Sequence, residues 1–254
     1  MILALPAHAK LNLSLEVHGL RQDGRHEVTT VLQAISLHDL LVVEPASETE
    51  LQGGRPDDLV LRAQRALEVA AGRKLPARFR LFKRIPVGAG LGGGSSDAAA
   101  ALRGLTALHG LTALHGLEVD LPPLAAELGA DVGFFLRGGT ALAEGIGDQL
   151  HALPTARDWY AIAWPGLEVS TAAVYRRWDE VGGEGENELT RAALAEEPRL
   201  EAFARRLPGW RMTGSGSAFF KSFGDRKAAE AEVAGLDCWT TVARSVPAWD
   251  YSGR

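Results

Sequence analysis

Cysteine is nearly absent from this chain of 254 residues. Cys238 stands alone, which excludes an intramolecular disulfide and any cysteine metal cluster, and it points to a reducing cytoplasm. An excess of basic charge is also missing. Lys and Arg total 27 against 32 for Asp and Glu, a formal net charge of −5. That balance argues against a nucleic-acid or membrane-surface partner, since both favour a basic face. No stretch approaches the ~20 uninterrupted apolar residues of a helical membrane span. The apolar start, Met1 to Leu5, has no basic residue before it and Lys10 soon after, so no secretory leader is expected. A Gly-x-x-x-x-Gly-Lys-Ser/Thr pattern does not occur, which excludes a Walker loop. What the chain does have is a hydrophobic fraction of 46%, enough for a real core, and a length comfortable for two domains.

It also has glycine, concentrated in one place. The run Pro86-Val87-Gly88-Ala89-Gly90-Leu91-Gly92-Gly93-Gly94-Ser95-Ser96-Asp97 packs five glycines into seven residues and ends on two hydroxyls and a carboxylate. Ala98 to Ala101 and Leu102 follow, a strongly helix-prone segment. Glycines leave backbone N–H groups unshielded, so the loop can form a nest of donors, and the helix behind it adds the positive end of its dipole. A phosphate chain is the natural guest. Gly88-x-Gly90-x-x-Gly93 also matches the dinucleotide fingerprint, but that motif requires a fully buried strand before it. Here the preceding strand alternates with arginines, and the acidic candidate Glu118 comes after a duplicated segment. A plain flexible turn would not account for the Ser-Ser-Asp helix start.

Periodicity outlines an α+β organisation. Residues 9–17 alternate, with Leu11, Leu13, Leu15 and Val17 opposite Lys10, Asn12, Ser14 and Glu16, and predict a half-buried strand. Further strands are predicted over 28–44, 78–85, 140–144, 159–164, 218–220 and 239–244. Helices are predicted over 57–71 (closed by Gly72), after the glycine loop, over 121–128 (with Gly129 as C-cap), over 171–179, through Leu207 and over 226–234. Gly104-Leu-Thr-Ala-Leu-His109 is repeated at once over 110–115, a local duplication too short to be a repeat unit. Composition turns polar around 150–158. A boundary there divides the chain into 1–152, carrying the glycine loop, and 153–254, whose βα-rich pattern suggests a ferredoxin-like layer.

Four further features are unremarkable when each is read alone. Lys10 and Asn12 share one face of a strand, either a wet surface or a site. Asp131, after Gly129-Ala130, reads in isolation as a turn or capping residue. Asp23-Gly24-Arg25-His26 begins as an ordinary hairpin turn. Gly214-x-Gly216 is, most simply, a tight loop.

Taken in order, these pieces are not generic. Ala9-Lys10-Leu11-Asn12-Leu13, Asp23-Gly24-Arg25-His26, the Pro86–Ala99 run, Leu128-Gly129-Ala130-Asp131-Val132 and Thr213-Gly214-Ser215-Gly216-Ser217 resemble the GHMP kinase superfamily, over about Ala7 to Phe220. The Ala-Lys-Leu-Asn-Leu start and the Gly-Ala-Asp-Val segment look like the branch that phosphorylates 4-diphosphocytidyl-2-C-methyl-D-erythritol (CDP-methylerythritol) for non-mevalonate isoprenoid synthesis. The alternative within the superfamily is a kinase of mevalonate or homoserine type; outside it, a nucleotide-binding regulator without chemistry or a nicotinamide enzyme.

The resemblance implies a fold of two parts, an N-terminal α/β domain of ribosomal S5 domain 2-like type and a C-terminal ferredoxin-like domain. It implies ATP bound by Pro86, Val87, Gly88, Ala89, Gly90, Leu91, Gly92, Gly93, Gly94, Ser95 and Ser96, with Mg2+ and Ser96 as a metal contact. Lys10 and Asp131 are implied as the catalytic pair. Asn12, Arg25, His26 and Tyr175 are implied as contacts to a small-molecule substrate, with His26 near the cytosine. A cytoplasmic monomer or weak homodimer is expected, with no nucleic-acid or membrane partner. The chain departs from the family pattern at His8, at Arg25 (usually tyrosine), at Gly133 and at Asn187-Glu188-Leu189. A guanidinium at 25 can still stack on a flat ring.

Overall fold

The computed structural model describes residues 1–110 and 119–249. The second copy of the duplicated hexapeptide, beyond Gly110, and Glu118 lie outside the described residues. Two long strands open the chain, β1 (Leu3–Leu20) and β2 (His26–Pro45). The Asp23-Gly24 turn joins them as predicted: Gly24 takes a left-handed φ of 78°, and the Arg21 N–H donates to the Arg25 carbonyl at 2.7 Å. Both strands outrun the prediction at their ends, and both pass through two compact units. One unit holds Met1–Ala9, His38–Ile85 and Gly92–Arg137; the other holds Lys10–Leu37, Pro86–Leu91 and Gly138–Arg254. Grouping by contact therefore follows the long strands, whereas the boundary drawn at 152/153 follows composition.

In the first unit, the C-terminal half of β2 pairs antiparallel with β4 (Ala77–Phe82), and β3 (Glu50–Gln52) pairs parallel with β4. Helices α1 (Leu59–Ala71), α2 (Gly93–His109), α3 (Leu121–Leu128) and α4 (Ala130–Arg137) complete the unit. Asp58 caps α1 by accepting from the Val60 N–H at 3.0 Å, and Gly72 ends it in a left-handed turn. The alanine run Ala98–Ala101 is fully buried. Small side chains let α2 approach closely: a Cβ at Gly104 would lie 2.7 Å from Leu5 Cδ1 and 2.8 Å from Val43 Cγ2. The predicted strand to Ile85 ends at Phe82, because the Arg84 and Ile85 N–H groups turn to the Asp39 carboxylate.

In the second unit, β2 pairs with β5 (Thr140–Glu144), which forms a hairpin with β6 (Gln149–Leu153). A separate antiparallel sheet runs β10-β7-β9-β8, built from β7 (Trp159–Trp164), β8 (Arg211–Met212), β9 (Phe219–Phe223) and β10 (Trp239–Arg244). Numbered within this sheet, the spatial order is 4-1-3-2. Helices α5 (Thr171–Val181), α6 (Leu189–Glu196) and α7 (Pro198–Ala204) lie between its first two strands, and α8 (Arg226–Val233) between its last two. That is the split βαβ arrangement expected of a ferredoxin-like layer. Leu15, Val17 and Val28 of the hairpin share one core with Val174, Leu189, Leu200 and Phe219. Among the described residues no helix is long and apolar enough to cross a membrane.

Candidate active site

The expectation of a wet polar face on β1 is overturned at Lys10 and Asn12. Each is only 5% exposed, while Leu11 between them is fully buried. A strand with both faces covered must satisfy its polar side chains internally. Lys10 Nζ donates to Asn12 Oδ1, Asn12 Nδ2 donates to Thr30 Oγ1 at 2.9 Å, and the Asn12 N–H donates to Thr213 Oγ1 at 2.9 Å.

The first half of the glycine loop lies against this cluster. The Lys10 N–H donates to the Leu91 carbonyl at 3.0 Å, and the Ala218 N–H to the Ala89 carbonyl at 3.0 Å. Along the loop, Gly88, Gly90 and Gly92 take positive φ and alternate with Ala89 and Leu91, which are buried anchors. Pro86 is half-buried, whereas Val87 and Gly88 are exposed. Gly90 is needed for space as well as for φ. A Cβ there would stand 2.7 Å from the carbonyl oxygens of Thr213 and Gly216. Gly214, for its part, offers a backbone that a Cβ would bring to 3.2 Å from both Lys10 Nζ and Asn12 Oδ1. The Gly214 turn is thus the wall beside the ammonium rather than a generic loop.

The second half of the run, Gly93 and Gly94 with Ser95 and Ser96, forms the first turn of α2, capped by Gly92 without a side-chain acceptor. Such a turn presents its N–H groups to an anion. Ser96 is 1% exposed and Ser95 half-buried. Behind that turn lies an ionic cluster. Lys83 Nζ sits 2.5 Å from Asp39 Oδ2 and 2.7 Å from Asp97 Oδ2. Burial pushes the Asp97 carboxyl up to about 7, with Lys83 opposing only in part. Burial also works against the charge on Lys83, but the two carboxylates outweigh it and its pKa is raised. Asp131 belongs to the first turn of α4, where a carboxylate meets the positive end of the dipole. Just before it, a Cβ at Gly129 would lie 4.0 Å from Ser95 Oγ.

His26 opens β2. Its ring stacks on Tyr175 of α5 with centroids 4.8 Å apart and planes 23° apart, and Trp178 meets it edge-on at 5.8 Å. Nε2 contacts Asp179 Oδ1 at 2.7 Å. Arg25 is exposed in the turn, its N–H bonded to Asp23 at 3.1 Å.

Residues 58–139 match the family described as GHMP kinases N terminal domain. A 4-diphosphocytidyl-2-C-methyl-D-erythritol kinase of Xanthomonas campestris pv. campestris (strain B100) is 38% identical over 258 residues, 92% of this chain and 86% of that protein. One from Symbiobacterium thermophilum is 43% identical over 189 residues, 71% of this chain and 66% of that protein. The chain belongs to the 4-diphosphocytidyl-2-C-methyl-D-erythritol kinase family of GHMP kinases. A crystal structure of a 4-(cytidine 5'-diphospho)-2C-methyl-D-erythritol kinase superposes with a TM-score of 0.73 at 38% identity, covering 95% of this chain and 99% of that one. A homoserine kinase from Cytophaga hutchinsonii shares the fold, with a TM-score of 0.67 at 17% identity over 97% and 95% of the two chains.

Within this GHMP kinase fold, several residues have structural roles at the site that the sequence alone did not assign. Thr30 and Thr213 hold Asn12. Asn187 donates to the carbonyls of Met212 at 2.8 Å and Gly214 at 2.9 Å, fixing the Gly214 turn. Its Asn-Glu-Leu context was visible as a family variant, but nothing local assigned it a role. Asp39, Lys83 and Asp179 had no signal at all, because their partners are distant in sequence.

Proposed function

We propose that this chain transfers the γ-phosphoryl group of ATP to the 2-hydroxyl of CDP-methylerythritol. The observation that carries the reading is the buried Lys10–Asn12 pair, hydrogen-bonded through the Lys10 backbone to the glycine loop and flanked by Gly90 and Gly214. A desolvated ammonium beside a loop of backbone donors suits a transferring phosphoryl group.

In this reading the backbone from Pro86 to Ser96 holds the triphosphate. The substrate hydroxyl attacks the γ-phosphorus, the bond to the β–γ bridging oxygen breaks, and the hydroxyl proton passes to the Asp131 carboxylate. Lys10 compensates charge on the transferring group. Asn12, Arg25, His26 and Tyr175 are assigned to the acceptor, with the His26–Tyr175 stack offering a flat wall to the cytosine. Magnesium, when bound, offsets charge on the phosphates. On a nucleotide it needs only one or two protein oxygens beside phosphate and water. The half-buried Ser95 hydroxyl suits a hydrated ion better than Ser96, which is almost wholly covered. The single cysteine supports a cytoplasmic setting, and a monomer or weak homodimer completes the reading.

The test is ADP release by the purified chain with CDP-methylerythritol, mevalonate and homoserine offered separately. Transfer to the cytidine compound alone is expected. Phosphorylation of either rival without it, or ATP binding with transfer to no acceptor, would overturn the assignment.

A further inference from the structure

We propose that Thr30 is a positioning residue for phosphoryl transfer: it fixes the Asn12 carboxamide so that the oxygen, not the nitrogen, faces the Lys10 ammonium. The argument is one of proton accounting. A threonine hydroxyl has a single proton and two lone pairs. Thr30 Oγ1 gives its proton to the Ser14 carbonyl at 2.5 Å. Towards Asn12 it therefore offers only a lone pair, and the group it can accept from is the amide nitrogen, 2.9 Å away. The carboxamide oxygen then points to the other side, where Lys10 Nζ donates to it. Thr213 agrees with this orientation. Its oxygen accepts from the Asn12 N–H at 2.9 Å, and its hydroxyl donates to Asn12 Oδ1 at 3.4 Å.

A flipped amide would fail twice. Its nitrogen would meet the ammonium donor-to-donor, and its oxygen would meet the Thr30 lone pair. With Thr30 3% exposed, water cannot easily repair either mismatch. The two threonines thus leave one satisfied orientation, and that orientation holds the ammonium beside Gly214. Valine would fill the same space and suit a strand as well as threonine does, so the hydroxyl is what the position requires.

This inference rests on Lys10 as the working ammonium. Thr30→Val should lower kcat by about tenfold to a hundredfold, the scale of a misplaced catalytic group, with KM for ATP within about twofold. Thr30→Ser, which restores the hydroxyl, should return kcat to within about threefold of wild type. In an Asn12→Ala background, Thr30→Val should add no further loss. An equal loss there, or a Thr30→Val enzyme with wild-type kcat, overturns the proposal. The wild-type protein gives an independent readout. With asparagine 15N-labelled, nuclear Overhauser contacts of the Asn12 amide protons should run to the Thr30 methyl; contacts to the Lys10 side chain instead overturn the proposal even if Thr30→Val does not fold. Should wild type show that orientation yet transfer phosphate to no acceptor, the kinase reading fails while the amide assignment stands.

Discussion

Asp97 meets Lys83 through one carboxylate oxygen at 2.7 Å, while its other oxygen, buried at the start of α2, has no hydrogen-bond partner among the described residues. The pairing is therefore incomplete, and burial dominates the titration of this acid.

A pH dependence of unusual sign follows. The folded Asp97 carboxyl titrates at about 7, above its ordinary 3.8, so the folded state holds a proton that the unfolded chain has released. Its contribution to stability is full below about pH 4 and is lost as pH rises through 7, at up to about 1.4 kcal/mol per pH unit. Thermal melts from pH 5 to pH 8 should show the midpoint falling, and Asp97→Asn should flatten that slope. An unchanged slope in the variant assigns the titration elsewhere.

Gly90→Ala should damage ATP use more than acceptor binding. The new Cβ would stand 2.7 Å from two carbonyl oxygens at a φ of 75°, and a left-handed alanine alone costs about 1–2 kcal/mol. Calorimetric titration with a non-hydrolysable ATP analogue should show affinity falling at least about tenfold, that strain converted at about 1.4 kcal/mol per decade. The KM for the acceptor should move little.

Asp131→Asn should reduce kcat by about 10²–10⁴-fold while the fold is kept, the usual scale for removing a positioned base. Asp131 sits in the outer first turn of a short helix, half-buried, so a near-isosteric amide is tolerated. Circular dichroism checks the fold and stopped-time assays the rate. Full turnover removes Asp131 from the chemistry.

Tyr175→Ala should raise the KM for the cytidine acceptor without changing that for ATP. The tyrosine covers the His26 ring at 4.8 Å. Aromatic stacking on a base is worth about 1–3 kcal/mol, or roughly fivefold to 150-fold. Asp179→Asn, which weakens the hold on His26 Nε2, should move the same constant in the same direction by less. Steady-state kinetics varying one substrate at a time separates the two cases.

The glycine loop was legible before any coordinates, because only glycine tolerates both positive φ and a backbone pressed against carbonyl oxygens. Two helix C-termini were legible as well, because Gly72 and Gly129 close helices where the sequence placed those ends, whereas α1 starts at Leu59 behind its Asp58 cap, two residues later than predicted. Lys10 and Asn12 were legible as a pair but not as a buried one. A period of two assigns residues to faces, yet it cannot say that a second element will cover the polar face.

Composition and local pattern determined that this is an α+β chain with a side-chain-free bend leading into a helix, and the order of its motifs carried the resemblance to the kinase family. Tertiary structure alone decided which polar groups meet. Lys83 with Asp39, His26 with Asp179 and Asn12 with Thr213 stand 44, 153 and 201 positions apart. The reason is physical: backbone conformation depends on neighbours along the chain, whereas desolvation and hydrogen bonding depend on whichever side chain another element happens to bring.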